Sequence, residues 1–197
     1  TSGEATQENF DRSSADVLGL ICDAARSGIP LVQLRERSLS ARSIFDLTVM
    51  AVDACRGSET KVLVNGRMDI AMAAGADGVH LPENGLPVDG VRKNSPAGFI
   101  VGSSCHSPAE VVAARNQGAD FAVFGPVYST PGKGEPVGPD VLAETVRAAG
   151  SFPILALGGI DSGNYRSVLE TGAAGFSAIR FLNDRDTLVH LGREFYA

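Results

Sequence analysis

The chain has 197 residues, of which 44% are hydrophobic and 20% charged, and a formal net charge of -6. That length and apolar content suffice for one core, so a single domain is expected over residues 1–197. With a pI near 5.0 and no Trp, and no basic run longer than Arg92-Lys93, neither nucleic acid nor an acidic membrane is indicated as a partner; an anionic ligand has to be held by local geometry.

Cys22, Cys55 and Cys105 are odd in number, far apart and form no CxxC. That pattern suggests neither a disulfide framework nor a zinc site and fits a reducing cytoplasm. No apolar stretch approaches the ~20 residues of a membrane helix, and the polar start TSGEATQENF is unlike a signal peptide.

Residues 1–13 contain no apolar run, and a helix is expected over 14–27. Short apolar or β-branched runs then alternate with longer amphipathic stretches: LVQLR (31–35), KVLVN (61–65), DGVHL (77–81), FIVGS (99–103), DFAVFG (120–125), PILAL (153–157) and AGFSAI (174–179). Runs too short for helices, separated by segments of helical period, predict parallel strands joined by crossover helices, about seven βα units. Ser107-Pro108-Ala109-Glu110 has the N-cap, first-turn proline and capping-box Glu of a helix start. The segments SGIP, AGADG, QGADF and TGAAG put glycines at 28, 75, 118 and 172, at intervals of 47, 43 and 54 residues. A helix ending on Gly before every second strand is a fourfold pattern, that of an eight-stranded closed barrel. By this count the strand at 31–35 is the second of eight. The expectation is an α/β fold, a (β/α)8 TIM barrel whose first strand is missing from the chain, because a truly open barrel exposes two unpaired edges. A doubly wound sheet is the alternative, and no GxGxxG turn supports it.

Barrels of this class build their sites at the C-terminal ends of the strands. In Val32–Arg37 the period of two sets Gln33, Arg35 and Arg37 on one face, toward the barrel mouth, and Val32 and Leu34 toward the helices. The next strands end in Asn65-Gly66-Arg67, in His80-Leu81-Pro82 and in Gly102–Ser107, the last carrying Ser104 and His106. Residues 124–134 (FGPVYSTPGKG) read as a mobile lid with Thr130 and one cation, Lys133. Gly158-Gly159 reads as a turn opening a helix, where the lack of side chains lets backbone N–H groups approach a phosphate. His106 is the candidate proton carrier, since imidazole titrates near neutrality. His80 reads as structural. Cys105 adjoins His106, but adjacent side chains point apart, which speaks against a Cys-His nucleophile.

In order and spacing, VQLRER, NGR followed by DIAMAAGADGVHL, GSSCHS, ADFAVFGPVYSTPGK and ILALGGI resemble thiamine-phosphate synthase and its sister group, the TenI-type thiazole tautomerases, over about residues 14–180. The TenI-type branch is the nearer. The resemblance implies a barrel of thiamine biosynthesis that binds a small phosphorylated thiazole. It places Gln33, Arg35, Arg37, Asn65, Ser104, Thr130 and Lys133 on the substrate and Gly158, Gly159, Ile179 and Arg180 on its phosphate. The synthase joins a pyrimidine diphosphate to the thiazole and expels pyrophosphate neutralised by Mg²⁺. Its two metal-binding aspartates fall here on Gly66 and Gly85, and its Val-Ser phosphate contact falls on Ile179-Arg180, where Arg180 either forms a bidentate contact or lies on a helix surface. The tautomerase moves a proton to aromatise a thiazole carboxylate phosphate, and His106 aligns with that group's acid/base histidine. The resemblance thus implies a metal-independent thiazole tautomerase that uses no cofactor. An Mg²⁺-dependent synthase and a catalytically silent binder of thiazole or thiamine phosphate that regulates a partner are the alternatives, and a homo-oligomer is compatible with all three.

Overall fold

The structure, a computed structural model, describes residues 1–196. Its elements run α1 (Phe10–Arg26), β1 (Leu31–Leu34), α2 (Ala41–Ala54), β2 (Lys61–Asn65), α3 (Met68–Ala73), β3 (Gly78–Leu81), α4 (Val88–Asn94), β4 (Ile100–Cys105), α5 (Pro108–Asn116), β5 (Phe121–Phe124), α6 (Gly138–Ala149), β6 (Ile154–Leu157), α7 (Tyr165–Glu170), β7 (Gly175–Ser177) and α8 (Arg185–Phe195). The chain divides into two compact units, residues 1–80 with those from Leu182 onward, and residues 81–181.

In the first unit β1, β2 and β3 are parallel, with Gln33 opposite Leu63 and Asn65 opposite His80. Their side chains are buried on both faces, as Val62, Leu63, Val64 and Val79 show, which is the condition of a parallel strand covered by helices. No strand precedes α1 among the described residues. Residues 1–6 instead lie beside the end of β1: Thr6 forms a parallel bridge with Ser38, and the Arg35 amide donates to Thr1 Oγ1 at 3.0 Å. Helix α1 starts at Phe10, earlier than the periodicity suggests. Asn9 makes the difference by folding back, its Oδ1 accepting from the Thr6 amide at 2.7 Å and its Nδ2 donating to the Glu4 carbonyl at 3.3 Å.

In the second unit β4 to β7 follow one another as parallel neighbours, with Gly102 opposite Phe121, Val123 opposite Leu155 and Leu157 opposite Ser177. Strand order without reversal rules out the doubly wound alternative, and the alternation of seven parallel strands with helices is that of a (β/α)8 barrel without its first strand.

The recurrent glycines end helices as expected. After α1, α3 and α5 the pairs Gly28 N to Ala25 O and Ile29 N to Ala24 O, Gly75 N to Met72 O and Ala76 N to Ala71 O, and Gly118 N to Arg115 O and Ala119 N to Ala114 O repeat one Schellman geometry. At two of these joints an aspartate follows and accepts the first free amide of the preceding strand: Asp77 from Val62 at 2.8 Å and Asp120 from Val101 at 2.7 Å. The same short motif therefore stops a helix and sets a strand's register. No helix among the described residues is long and apolar enough to cross a membrane.

Candidate active site

In the first unit the strand ends bring Gln33, Asn65 and His80 together. Gln33 Nε2 lies 2.8 Å from Asn65 Oδ1 and 3.1 Å from His80 Nδ1. An amide NH₂ only donates, so Nδ1 is the acceptor and the proton of the neutral ring sits on Nε2. His80 is buried; burial first, and then the nearby Arg35 charge, bring its pKa down to about 4. The Arg35 guanidinium is itself held below its ordinary range, by burial and then by Arg37, against the opposing pull of Glu36. Arg37 is exposed. Beside these residues a cleft of about 260 Å³ is lined by Leu34, Arg37, Leu39, Ile44, Asn65 and Arg67 among others. The Arg67 fork is taken by Asp69, at 2.8 and 2.6 Å.

In the second unit His106 stands just past β4. Its backbone amide donates to Glu110 Oε2 at 2.7 Å, while Ser107 Oγ accepts from the Glu110 amide at 3.3 Å. The capping box thus closes one residue further back than its simplest form. The ring's Nδ1 donates to the Gly125 carbonyl, because a carbonyl can only accept. Nε2 is left facing Glu83 Oε2 at 3.5 Å, with His106 35% and Glu83 61% exposed. One ring nitrogen is therefore anchored and the other open toward a carboxylate and solvent, as a proton carrier requires. Cys105 is buried, and burial pushes its thiol up to about 11, which keeps it protonated near neutrality and speaks against a Cys-His nucleophile. Ser104 lies on β4, half-buried.

The Gly/Pro-rich segment is tied down at its base. Val127 and Tyr128 amides donate to the Leu157 and Gly158 carbonyls at 2.8 and 3.0 Å, and Val137 and Gly138 amides return to Pro126 and Val127 at 2.8 and 3.1 Å. Only its tip projects. There Thr130 Oγ1 donates to the Tyr128 carbonyl at 3.0 Å and the Lys133 amide to the Thr130 carbonyl at 3.1 Å, with the Lys133 side chain exposed.

That crossing supplies a reason for Gly158-Gly159 that the sequence does not show. Both have positive φ, +104° and +64°; a Cβ on Gly158 would lie 2.6 Å from Pro126 Cα, and one on Gly159 2.7 Å from the Ser129 carbonyl oxygen. The pair lets the segment after β5 cross the end of β6, and it does not open α7 directly. Five residues intervene, pinned by Asn164, which donates to the Gly159 carbonyl at 2.9 Å and accepts from the Asp161 amide at 2.9 Å. Ile179, 41% exposed, and the exposed Arg180 lie in the turn past β7. Arg180 is therefore not on a helix surface.

Sequence reasoning did not single out Glu36, whose carboxylate is buried behind β1, and it did not see Glu83 as the partner of His106. For Glu36 a signal existed: strand alternation puts it on the same face as Leu34, where a carboxylate needs dedicated partners.

Strand order and strand-end chemistry together define a (β/α) barrel with a polar, cation-bearing site. The thiamine monophosphate synthase family pattern matches residues 5–182. A Geobacter sulfurreducens protein named "Putative thiamine-phosphate synthase" is 44% identical over 167 residues, 83% of this chain and 78% of that one. The thiamine-phosphate synthase of Chlorobium limicola is 38% identical over 172 residues, 86% and 81% of the two chains. Among solved structures, thiamine phosphate pyrophosphorylase from Pyrococcus furiosus superposes with a TM-score of 0.79 at 26% identity, over 91% of both chains. The chain belongs to the thiamine monophosphate synthase family, and so is an enzyme of thiamine biosynthesis.

Proposed function

We propose that the chain acts on a thiazole phosphate and couples it to a pyrimidine diphosphate, the thiamine-phosphate synthase reaction. The observation that carries this reading is the 44% identity, over 83% of the chain, to the Geobacter relative with that name. From sequence alone the tautomerase comes first; the names of the relatives reverse that order. In the coupling, the carbon–oxygen bond to the diphosphate breaks, the thiazole nitrogen bonds to that carbon, and pyrophosphate leaves with the electron pair. Arg35 and Arg37 receive the charge that gathers on the leaving group, with Gln33 and Asn65 orienting the substrate. Ser104, Thr130 and Lys133 contact the thiazole, and its phosphate lies at Gly158, Gly159, Ile179 and Arg180.

Mg²⁺, which the coupling implies, does not fit the residues present. Glycine stands at 66 and 85, Gly66 with φ +67°. The nearby Asp69 carboxylate is taken by Arg67, and among the described residues no three His, Cys, Asp or Glu side chains gather to hold a metal. In this reading the guanidiniums alone offset the leaving-group charge.

His106 favours a second reading, the thiazole tautomerase. With Nδ1 on a carbonyl and Nε2 open beside Glu83, it is built to take a proton at one atom and return it at another, and that reaction releases no pyrophosphate. Two assays on one preparation decide. Thiamine phosphate formed from pyrimidine diphosphate and thiazole phosphate at about 1 s⁻¹ or faster supports the coupling. Aromatisation of the thiazole carboxylate phosphate in excess EDTA, without coupling, assigns the tautomerase. Binding with no turnover in either assay overturns both and leaves a regulator.

A further inference from the structure

Glu36 stands between two guanidinium-bearing residues, yet its carboxylate binds neither. It is 4% exposed, and its two oxygens accept backbone amides from the start of the chain: Oε1 from Gly3 at 3.1 Å and Oε2 from Ala5 at 2.9 Å. A buried carboxylate is tolerated only with such partners, so the residues around it are organised to meet this demand.

Successive side chains of an extended strand point to opposite sides, so Glu36 faces inward with Leu34 while Arg35 projects on the other side. Beyond its through-space pull on the Arg35 charge, Glu36 therefore reaches Arg35 through the segment it holds. That segment wraps Arg35 closely. The Arg35 amide donates to Thr1 Oγ1 at 3.0 Å, and Gly3, at φ +83°, packs so tightly that a Cβ would come within 3.0 Å of both Arg35 Nη1 and the Arg35 carbonyl oxygen. Further along, Thr6 bridges to Ser38, so the segment follows the chain of β1 past the site face. The burial that depresses the Arg35 guanidinium agrees with a side chain covered on one side.

We propose that Glu36 is a positioning residue: by clasping the amides of Gly3 and Ala5 it lays residues 1–6 against β1 and fixes the Arg35 guanidinium for an anionic diphosphate. The ligand class rests on the function proposed above; the clasp itself does not.

The test uses the full chain with Glu36→Gln, which keeps the shape but turns one acceptor into an NH₂ facing an amide N–H. Amide exchange at Gly3 and Ala5 is expected to accelerate at least tenfold. The ¹⁵N order parameter of Arg35 Nε should fall from about 0.8 to below about 0.6, and the calorimetric Kd for inorganic pyrophosphate should rise about fivefold to tenfold. Gly3→Ala leaves Glu36 intact and presses directly on Arg35; it should weaken pyrophosphate binding similarly, and it is the variant read if Glu36→Gln does not fold. An Arg35 order parameter unchanged in Glu36→Gln, or pyrophosphate affinity unchanged in a folded Gly3→Ala, overturns the clasp. Failure of the wild type to bind pyrophosphate while Arg35 still loosens in Glu36→Gln refutes the ligand class and supports the clasp.

Discussion

Acid should destabilise this protein through His80 before most carboxylates titrate. The ring is buried and neutral, with a pKa of about 4 against an ordinary 6.5. Between those two values the unfolded chain binds a proton that the folded protein does not. The stabilisation is thus fully present above pH 6.5, is lost as pH falls through the window, and changes no further below 4. Each pH unit in the window is worth about 1.4 kcal/mol, so the loss is about 2 kcal/mol by pH 5 and on the order of 3 kcal/mol in total, a large fraction of an ordinary domain's 5–15 kcal/mol. Protonation also places a donor where Gln33 Nε2 now donates, 3.1 Å away, so the Gln33–Asn65 arrangement should loosen with it. The assay is urea unfolding at pH 7.5, 6.5, 5.5 and 5.0, for the wild type and for His80→Gln, which removes the titration while leaving the other groups as a common background. The wild type should lose about 2 kcal/mol more than the variant over this range. Parallel stability curves would refute the assignment of a buried neutral ring.

If the tautomerase reading holds, His106→Asn should lower its rate by on the order of 10² with substrate affinity little changed, measured as a kcat loss without a KM shift. Glu83→Gln should cost less than about tenfold, because that pair is solvent-exposed and screened. Gly158→Ala should destabilise by about 2–4 kcal/mol in thermal unfolding, since the new Cβ meets Pro126 backbone at 2.6 Å; a loss under about 1 kcal/mol would mean the segment shifts freely. Cys55 and Cys105, both buried and both pushed up to about 11, should resist iodoacetamide at pH 8 in the folded protein and react on unfolding, as read by mass spectrometry.

The strands were legible because each is a short apolar run bounded by a glycine or proline joint, and the helix-ending glycines set the count that left the first strand missing. Helix α1 starts earlier than its periodicity suggests because the Asn9 side chain folds back on the Thr6 amide and Glu4 carbonyl, contacts no periodicity encodes. Alternation along 32–37 put Gln33 and Arg35 on one face, but it could not reveal that Gln33 would bridge to residues 32 and 47 positions away, Asn65 and His80. Gly158-Gly159 was read for the ligand, whereas its immediate cause is the passage of Pro126–Ser129, a close approach between distant segments. The role of Glu36 and the pairing of Glu83 with His106 depend on partners that only folding supplies.

The first unit is discontinuous, and its last part is α8, which packs on α1: a Cβ on Gly192 would sit 2.4 Å from the Ser27 carbonyl oxygen, and one on Gly28 2.9 Å from Tyr196 Cβ, while Arg185 Nε lies 3.3 Å from Asp23. During synthesis residues 81–181 leave the ribosome as an uninterrupted stretch with all their internal strand pairings available, whereas the cover of α1 comes from α8, which follows that stretch in the sequence. The first unit is therefore complete only when α8 has returned to α1, after the whole of residues 81–181 has been made. A chain cut before α8 would lose the buried Leu188 and Leu191 and leave the α1 surface that α8 covers open to solvent, the kind of apolar exposure that invites aggregation.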